Sequence, residues 1–415
     1  MGGNLELSLE KSLDPISYKQ ALNLLFRLAG HIKLQNETLP IESCLGRVLS
    51  AKVESCIDNP PHNVSSMDGY AINSVNNKKN RVFRVVGMSA AGNPTNVKIT
   101  SNEAVRIFTG AKLPEGSNTV IIQENVELIE KHKVLINPGI KPIAGENIRK
   151  KGTDFTKKTV IGKGKFISDM DIMLFAAMGH KELLVKKRLS ISILSVGDEL
   201  TEPGKICDDH KIYSSNAYGI ASLLRKYSCQ PLILPIARDN LTSIKKRLSS
   251  AIINSDLIVT SGGASVGAYD LVRKAAKELG LKVSFEKVNI RPGKPTFAGL
   301  LKDTPILGLP GNPVSSYVCA RLFLIPLIGK ITRCKENYPI ISTAKLSSDL
   351  KSNGSRRHFL RANIIIKDGE QIVYPKNKQD SSLVKTLQES NCLIIRAPND
   401  DARVAGQTVD ILKLY

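Results

Sequence analysis

Asp256-Leu257-Ile258-Val259-Thr260 runs straight into Ser261-Gly262-Gly263-Ala264-Ser265-Val266-Gly267, and helix-like sequence follows. Pro305-Ile306-Leu307-Gly308-Leu309 behaves the same way, running into Pro310-Gly311-Asn312-Pro313-Val314-Ser315. A buried strand, a glycine turn and a helix start leave several backbone N–H groups beside the positive end of a helix dipole, which is a natural anion site. Two such sites at the strand ends of one α/β layer suit a ligand with more than one anionic group. Upstream, Ile191 to Val196 reads as a strand, Asn216 to Lys226 as a helix, Leu232 to Ile236 as a strand and Leu241 to Asn254 as a helix. That alternation predicts a parallel, doubly wound α/β domain over 188–331.

The rest of the chain has other rhythms. Ala21, Leu24, Leu25 and Leu28 recur at helical spacing, and a second helix is expected from about Ser168 to Gly179. Between them, short β-rich runs (Val82 to Val86, Ala104 to Thr109, Thr119 to Gln123, Val134 to Ile136) alternate with Gly, Pro and Asn turns. The expected organisation is a discontinuous helical domain (1–57 plus 150–187), an inserted β domain (58–149), the α/β domain and a C-terminal β domain (332–415). After about Ile331 no further helix is expected.

Ligands of open α/β sheets bind beyond the carboxyl ends of the strands. Sorting residues by that rule gathers Glu199 after the first strand and Asp239 after the second. Ser261, Gly262, Gly263, Ser265, Gly267 and Asp270 follow the third. Arg291 and Lys294 follow Val283 to Ile290, and Pro310, Gly311, Asn312, Pro313 and Ser315 close the series. Carboxylates suit Mg²⁺ beside phosphates; Arg291 and Lys294 suit oxyanion charge. Each residue alone reads as a loop charge, a cap or a tight turn. Their placement along one sheet edge favours a site.

Composition narrows the class. The formal net charge is +21, yet there is no Trp and no recognisable nucleic-acid motif, so small anions are favoured over nucleic acid as partners. No apolar run reads as long enough for a membrane helix, and the N-terminus lacks the apolar core of a signal peptide. Seven scattered cysteines without a C-x-x-C pair argue for reduced thiols and a cytoplasmic setting.

Several further segments resist periodicity: Ser66-Met67-Asp68-Gly69-Tyr70-Ala71, Thr109 to Gly116, and Glu146 to Asp154. Together with Gly197-Asp198-Glu199-Leu200, the Ser261 to Asp270 turn, Arg291 to Pro295 and Gly308 to Ser315, they resemble, in the same order, the molybdopterin molybdenumtransferase family, the MoeA-like proteins that include the gephyrin E domain. The resemblance covers most of the chain from about Pro15 and implies an elongated homodimer whose cleft joins the β domain of one subunit to the α/β domain of the other. It implies insertion of molybdenum into adenylylated molybdopterin, with molybdate as substrate and AMP released. By motif it marks Asp68, Thr109, Asp154, Glu199, Asp239, Asp270, Arg291, Lys294, Pro310 and Pro313 as functional. On that reading the turns at Gly262-Gly263 and Gly311-Asn312 hold pterin and phosphate, and Glu199, Asp239 and Asp270 position Mg²⁺. Arg291 and Lys294 then offset molybdate charge. A molybdopterin adenylyltransferase and apo-molybdoenzymes are the implied protein partners. The rival readings are an adenylyltransferase-like enzyme, which would not need 1–187 or the C-terminal domain, and a scaffold retaining the pocket, which the intact carboxylates disfavour.

Overall fold

The computed structural model describes residues 14–75, 81–262, 266–334 and 339–414, with the backbone alone over 266–270. Helix α1 (Tyr18–Leu28) starts at Ser17, whose hydroxyl and backbone N–H both engage Gln20 in a capping box. Its apolar face, Ala21, Leu25 and Leu28, is buried against the α/β domain. Helix α2 (Asp169–Ala177) is capped by Ser168 in the same manner, through Asp171. Phe175 and Met178 pack with Cys44, Leu49, Phe155 and Val185 in a separate small core.

Between these elements lies a six-stranded sheet in the order Thr119–Ile122, Gly69–Ile72, Glu103–Ile107, Val82–Ser89, Lys133–Ile136, Val126–Glu130. Its core is small: Ile72, Phe83, Ala104, Ile121, Val134 and Ile136.

The α/β domain contains β1 (Leu189–Val196), α3 (Asn216–Arg225), β2 (Cys229–Ile233), α4 (Leu241–Asn254), β3 (Leu257–Gly262), α5 (Val266–Glu278), β4 (Leu281–Phe285), β5 (Phe297–Leu301) and β6 (Thr304–Leu309). The sheet order is β2-β1-β3-β6-β5-β4. The first four strands are parallel, as the alternation predicts. The sheet as a whole is mixed, because β5 runs antiparallel to both neighbours. Only Lys302 and Asp303 separate β5 from β6, and Lys302 takes a φ of 55°. So tight a connection permits only an antiparallel hairpin. The β2 strand lies three residues earlier than expected; it includes Pro231, which is tolerated because β2 is an edge strand, and ends at Ile233.

After β6, α6 (Pro313–Cys319), a π-turn (Ala320–Leu324) and α7 (Ile325–Thr332) form one helical run. Contrary to the sequence expectation, Pro313–Thr332 is long and apolar enough to cross a membrane. However, 89% of that window is buried inside the fold, as a core helix would be. Phe323 and Leu322 pack there with Leu25 of α1 and Leu307 of β6.

Five C-terminal strands close on themselves as a barrel: Arg357–Lys367, Glu370–Pro375, Ile341–Leu346, Thr408–Lys413 and Cys392–Arg396, the last pairing back with the first. One short helix, α8 (Val384–Gln388), interrupts the expected all-β pattern. The two-residue strand Ile290–Arg291 pairs with the barrel rather than the α/β sheet, placing Arg291 opposite His358. Tyr18 fastens the same junction, its ring 5.5 Å from Phe323 and 5.9 Å from Phe359. Burial pushes the Tyr18 hydroxyl up to about 12.

Candidate active site

The carboxyl edge of β1, β3 and β6 opens into a cleft of about 430 Å³. Ser261 and Gly262 form its floor from the end of β3, and Gly311, Asn312 and Pro313 enter from the start of α6. The floor is held by a hydroxyl and amide network. Asn216, the first residue of α3, donates to Ser261 Oγ at 2.9 Å and to the Gly311 carbonyl at 2.6 Å. Ser261 Oγ also lies 3.0 Å from Ser316 Oγ and donates to the Pro310 carbonyl at 3.4 Å. One amide thus ties the two glycine turns together. Asn216→Ala should cost about 1–3 kcal/mol, the usual loss on orphaning buried partners, and should weaken ligand binding in parallel. Equal chemical-denaturation midpoints for variant and parent would contradict this.

Glu199 lines the same cleft, while Asp239 does not and pairs instead with Asp198. Asp239 Oδ2 accepts from the Asp198 N–H at 3.2 Å, and the Asp239 N–H donates to Asp198 Oδ1 at 3.4 Å. Asp239 Oδ1 is buried with no hydrogen-bond partner among the described residues. Asp270 and Gly267 fall on α5, where only the backbone is described; Gly263 and Ser265 lie outside the described residues.

Arg291 and Lys294 do not enter this cleft. They line a second pocket of about 280 Å³, between the α/β domain and the barrel, with Ser315, Arg356, His358 and Arg361 among its other walls. The β4 strand ends at Phe285, so the chain crosses to the barrel before reaching Arg291. The two cavities flank the start of α6. Asn312, in the first, donates to Ser381 Oγ of the second at 2.7 Å, and Ser382 lines the first.

Sequence reasoning did not single out Asn216, Arg361 or His358. Arg361 is 2% exposed on a barrel strand. Its backbone and Nε–H donate to Gln379 Oε1, while its Nη1 is buried without a hydrogen-bond partner among the described residues. A charged residue flanked by Phe359, Leu360 and Ala362 within a strand was the available signal. Burial, then Arg291, Arg356, Arg396 and Arg361, pull His358 down to about 4. The folded value lies below the ordinary 6.5, so protonation opposes folding: its stabilisation is complete above pH 6.5 and is lost as pH falls towards 4. His358→Gln should flatten the melting-temperature profile between pH 6.5 and 4, by up to about 2 kcal/mol at the acid end. An unchanged acid slope would remove His358 as its source.

Asp68 and Thr109 meet each other in the inserted β domain. The Thr109 N–H donates to Asp68 Oδ1 at 2.7 Å and its hydroxyl does so at 3.0 Å. Those two bonds hold the Asp68 carboxyl below the usual range. Asp154 accepts from Asn59 Nδ2 at 3.0 Å. Neither carboxylate lines the two pockets above.

Known proteins share this plan. Three family models match in succession: "MoeA N-terminal region (domain I and II)" over 16–179, "Probable molybdopterin binding domain" over 192–330 and "MoeA C-terminal region (domain IV)" over 343–414. A molybdopterin molybdenumtransferase of Haemophilus influenzae is 35% identical over 91% of this chain and 93% of its own length. One from Nostoc is 29% identical over 96% and 94%. A crystal structure titled as the molybdopterin biosynthesis MoeA protein of Pyrococcus horikoshii superposes with a TM-score of 0.81 at 26% identity, covering 97% of this chain and all of that one. With its helical, inserted β, α/β and barrel parts all matched in order, the chain belongs to the MoeA family of molybdopterin molybdenumtransferases.

Proposed function

We propose that this enzyme inserts molybdenum from molybdate into adenylylated molybdopterin and releases AMP, forming molybdenum cofactor. The observation that carries the reading is the buried, unpartnered Arg361 Nη1 in a pocket it shares with Arg291, Lys294 and Arg356. A buried guanidinium donor without an acceptor is costly; Asp380 in the same wall offsets part of the Arg361 charge without bonding Nη1, and a tetrahedral oxyanion supplies the missing acceptor. The neighbouring cleft, walled by hydroxyls, amides and the Gly262 and Gly311 turns, suits the pterin and its phosphates. Both cavities reach the start of α6, so a ligand spanning Asn312 would present its pterin end towards the oxyanion.

In this arrangement Asn216 fixes the cleft floor, Arg291, Lys294 and Arg361 hold the oxyanion, and His358 stays neutral beside it until an anion offsets the surrounding guanidinium charge. The donor set fits Mg²⁺ in a limited sense. Among the described residues no three ligating side chains converge, but Asp239 has an orphaned buried carboxylate oxygen beside the loop that carries Glu199. Mg²⁺ ordinarily takes one or two carboxylates and completes its shell with water and phosphate. Glu199, Asp239 and Asp270 would hold it, and it would neutralise pyrophosphate charge during cleavage. Asp68 and Thr109 lie in the inserted domain and line neither cavity, which supports a homodimer in which a second subunit brings them to a cleft. Delivery from a molybdopterin adenylyltransferase and hand-over to apo-molybdoenzymes complete the reading, and the seven free thiols accord with a cytoplasmic setting.

The test is AMP release from adenylylated molybdopterin with Mg²⁺, with and without molybdate, alongside reconstitution of an apo-molybdoenzyme. Molybdate-dependent AMP release with active cofactor is the expected result. Tight pterin binding with neither product would leave a carrier.

A further inference from the structure

Away from both cavities, a groove of about 920 Å³ opens where the end of α1, the loop after it and the last turn of α7 meet strand Glu182–Lys186. Lys33, Lys186, Lys330 and Arg333 line it, and among the described residues no carboxylate does. None of the four forms an ion pair with a described residue. Among the described residues the Lys186 ammonium donates to the neutral Asn36 Oδ1 alone, at 3.0 Å. Burial, Arg333 and Lys163 all lower its affinity for a proton. Two of the cations have a simpler explanation, since Lys330 and Arg333 stand at the C-terminal end of α7, where positive charge complements the dipole. Lys33 and Lys186 come from other elements and gain nothing from that dipole. Like charges gathered in a concave wall raise one another's energy, and an anion offsets the cost.

The rest of the wall is apolar. Phe26 presents a half-buried ring with Lys330 Nζ 5.9 Å from its centroid, and Leu34 adds aliphatic surface. The space far exceeds inorganic phosphate and falls within the range of about 300–1,000 Å³ occupied by organic ligands. We propose that this groove binds an organic polyphosphate of nucleotide size, with its phosphates on Lys33, Lys186, Lys330 and Arg333 and its aromatic ring against Phe26. Such a ligand would brace α1 and α7 against strand Glu182–Lys186, which belongs to a separate packing unit.

ATP titrated calorimetrically into the full chain tests the proposal, with tripolyphosphate as comparator. Lys330→Gln/Arg333→Gln alters exposed side chains and should weaken ATP at least about tenfold, the worth of one charge-assisted bond, while leaving the unliganded protein folded with only the small change in melting temperature that two helix-end charges bring. Arg291→Ala/Lys294→Ala should leave ATP affinity as it was, and Phe26→Leu should weaken ATP but not tripolyphosphate. The idea is overturned if ATP does not bind, if binding disappears in the Arg291/Lys294 variant and persists in the Lys330/Arg333 variant, or if tripolyphosphate binds as tightly as ATP.

Discussion

Gly262→Ala should destabilise the α/β domain by roughly 3–5 kcal/mol and abolish pterin binding. Gly262 ends β3 at φ 151° and pairs with Val196 of β1. A methyl there would sit 2.1 Å from the Val196 carbonyl oxygen and 2.7 Å from its nitrogen. Both are backbone atoms of a central strand, so neither can rotate aside. Relief requires the ends of β1 and β3 to separate, which pulls Ser261 from Asn216 and Ser316. Gly219 supplies the control: it lies within α3 with nothing inside 4 Å of an added methyl. Gly219→Ala should therefore stabilise by about 0.5–1 kcal/mol through helix propensity alone. Urea unfolding of both variants separates the cases. Similar midpoints would show that close approach is not why glycine stands at 262.

Much of this fold was legible because its signals are local. Ser17 and Ser168 cap the helices they precede, and Leu241–Asn254 emerges with the limits its periodicity gives. Glycine turns after buried strands likewise marked the cleft formed by Ser261, Gly262, Gly311 and Asn312. What failed depended on pairing across distance. The reversal of β5 is the exception, set by the two-residue Lys302-Asp303 turn, which is a local signal. The displacement of Arg291 into a second pocket depends on a strand pairing with Arg357 and His358, more than sixty residues away, which no local pattern records. Asn216 was hidden by its ordinary position at a helix start. It matters only because β3 and the Gly311 turn converge there. Helix Pro313–Thr332 shows the converse error: interior residues of a multidomain core and residues of a membrane span obey the same composition rule, and burial alone separates them.

Arg291→Ala/Lys294→Ala should raise the molybdate concentration needed for half-maximal turnover by about a hundredfold or more while leaving folding intact. Both side chains are exposed at the mouth of the second pocket, so their removal leaves no buried orphan. Each charge-assisted bond to an oxyanion is worth about 1.5–3 kcal/mol, and two lost together span roughly two to four decades. Arg361 behaves differently because it is buried and also holds Gln379, whose amide donates back to the Arg361 carbonyl at 2.9 Å. Arg361→Lys keeps the charge but not the planar fork, so it should lose oxyanion affinity and some stability together. The exposed pair should lose affinity alone. A third arm fixes the location: binding of the adenylylated pterin should survive in the Arg291/Lys294 variant, because its cleft lies on the other side of Asn312. If pterin binding fell as far as the molybdate response, the two cavities would be one site and the division of labour argued from Arg361 would be wrong. If neither changed, the cationic pocket would have no part in turnover, and Nη1 of Arg361 would need another acceptor.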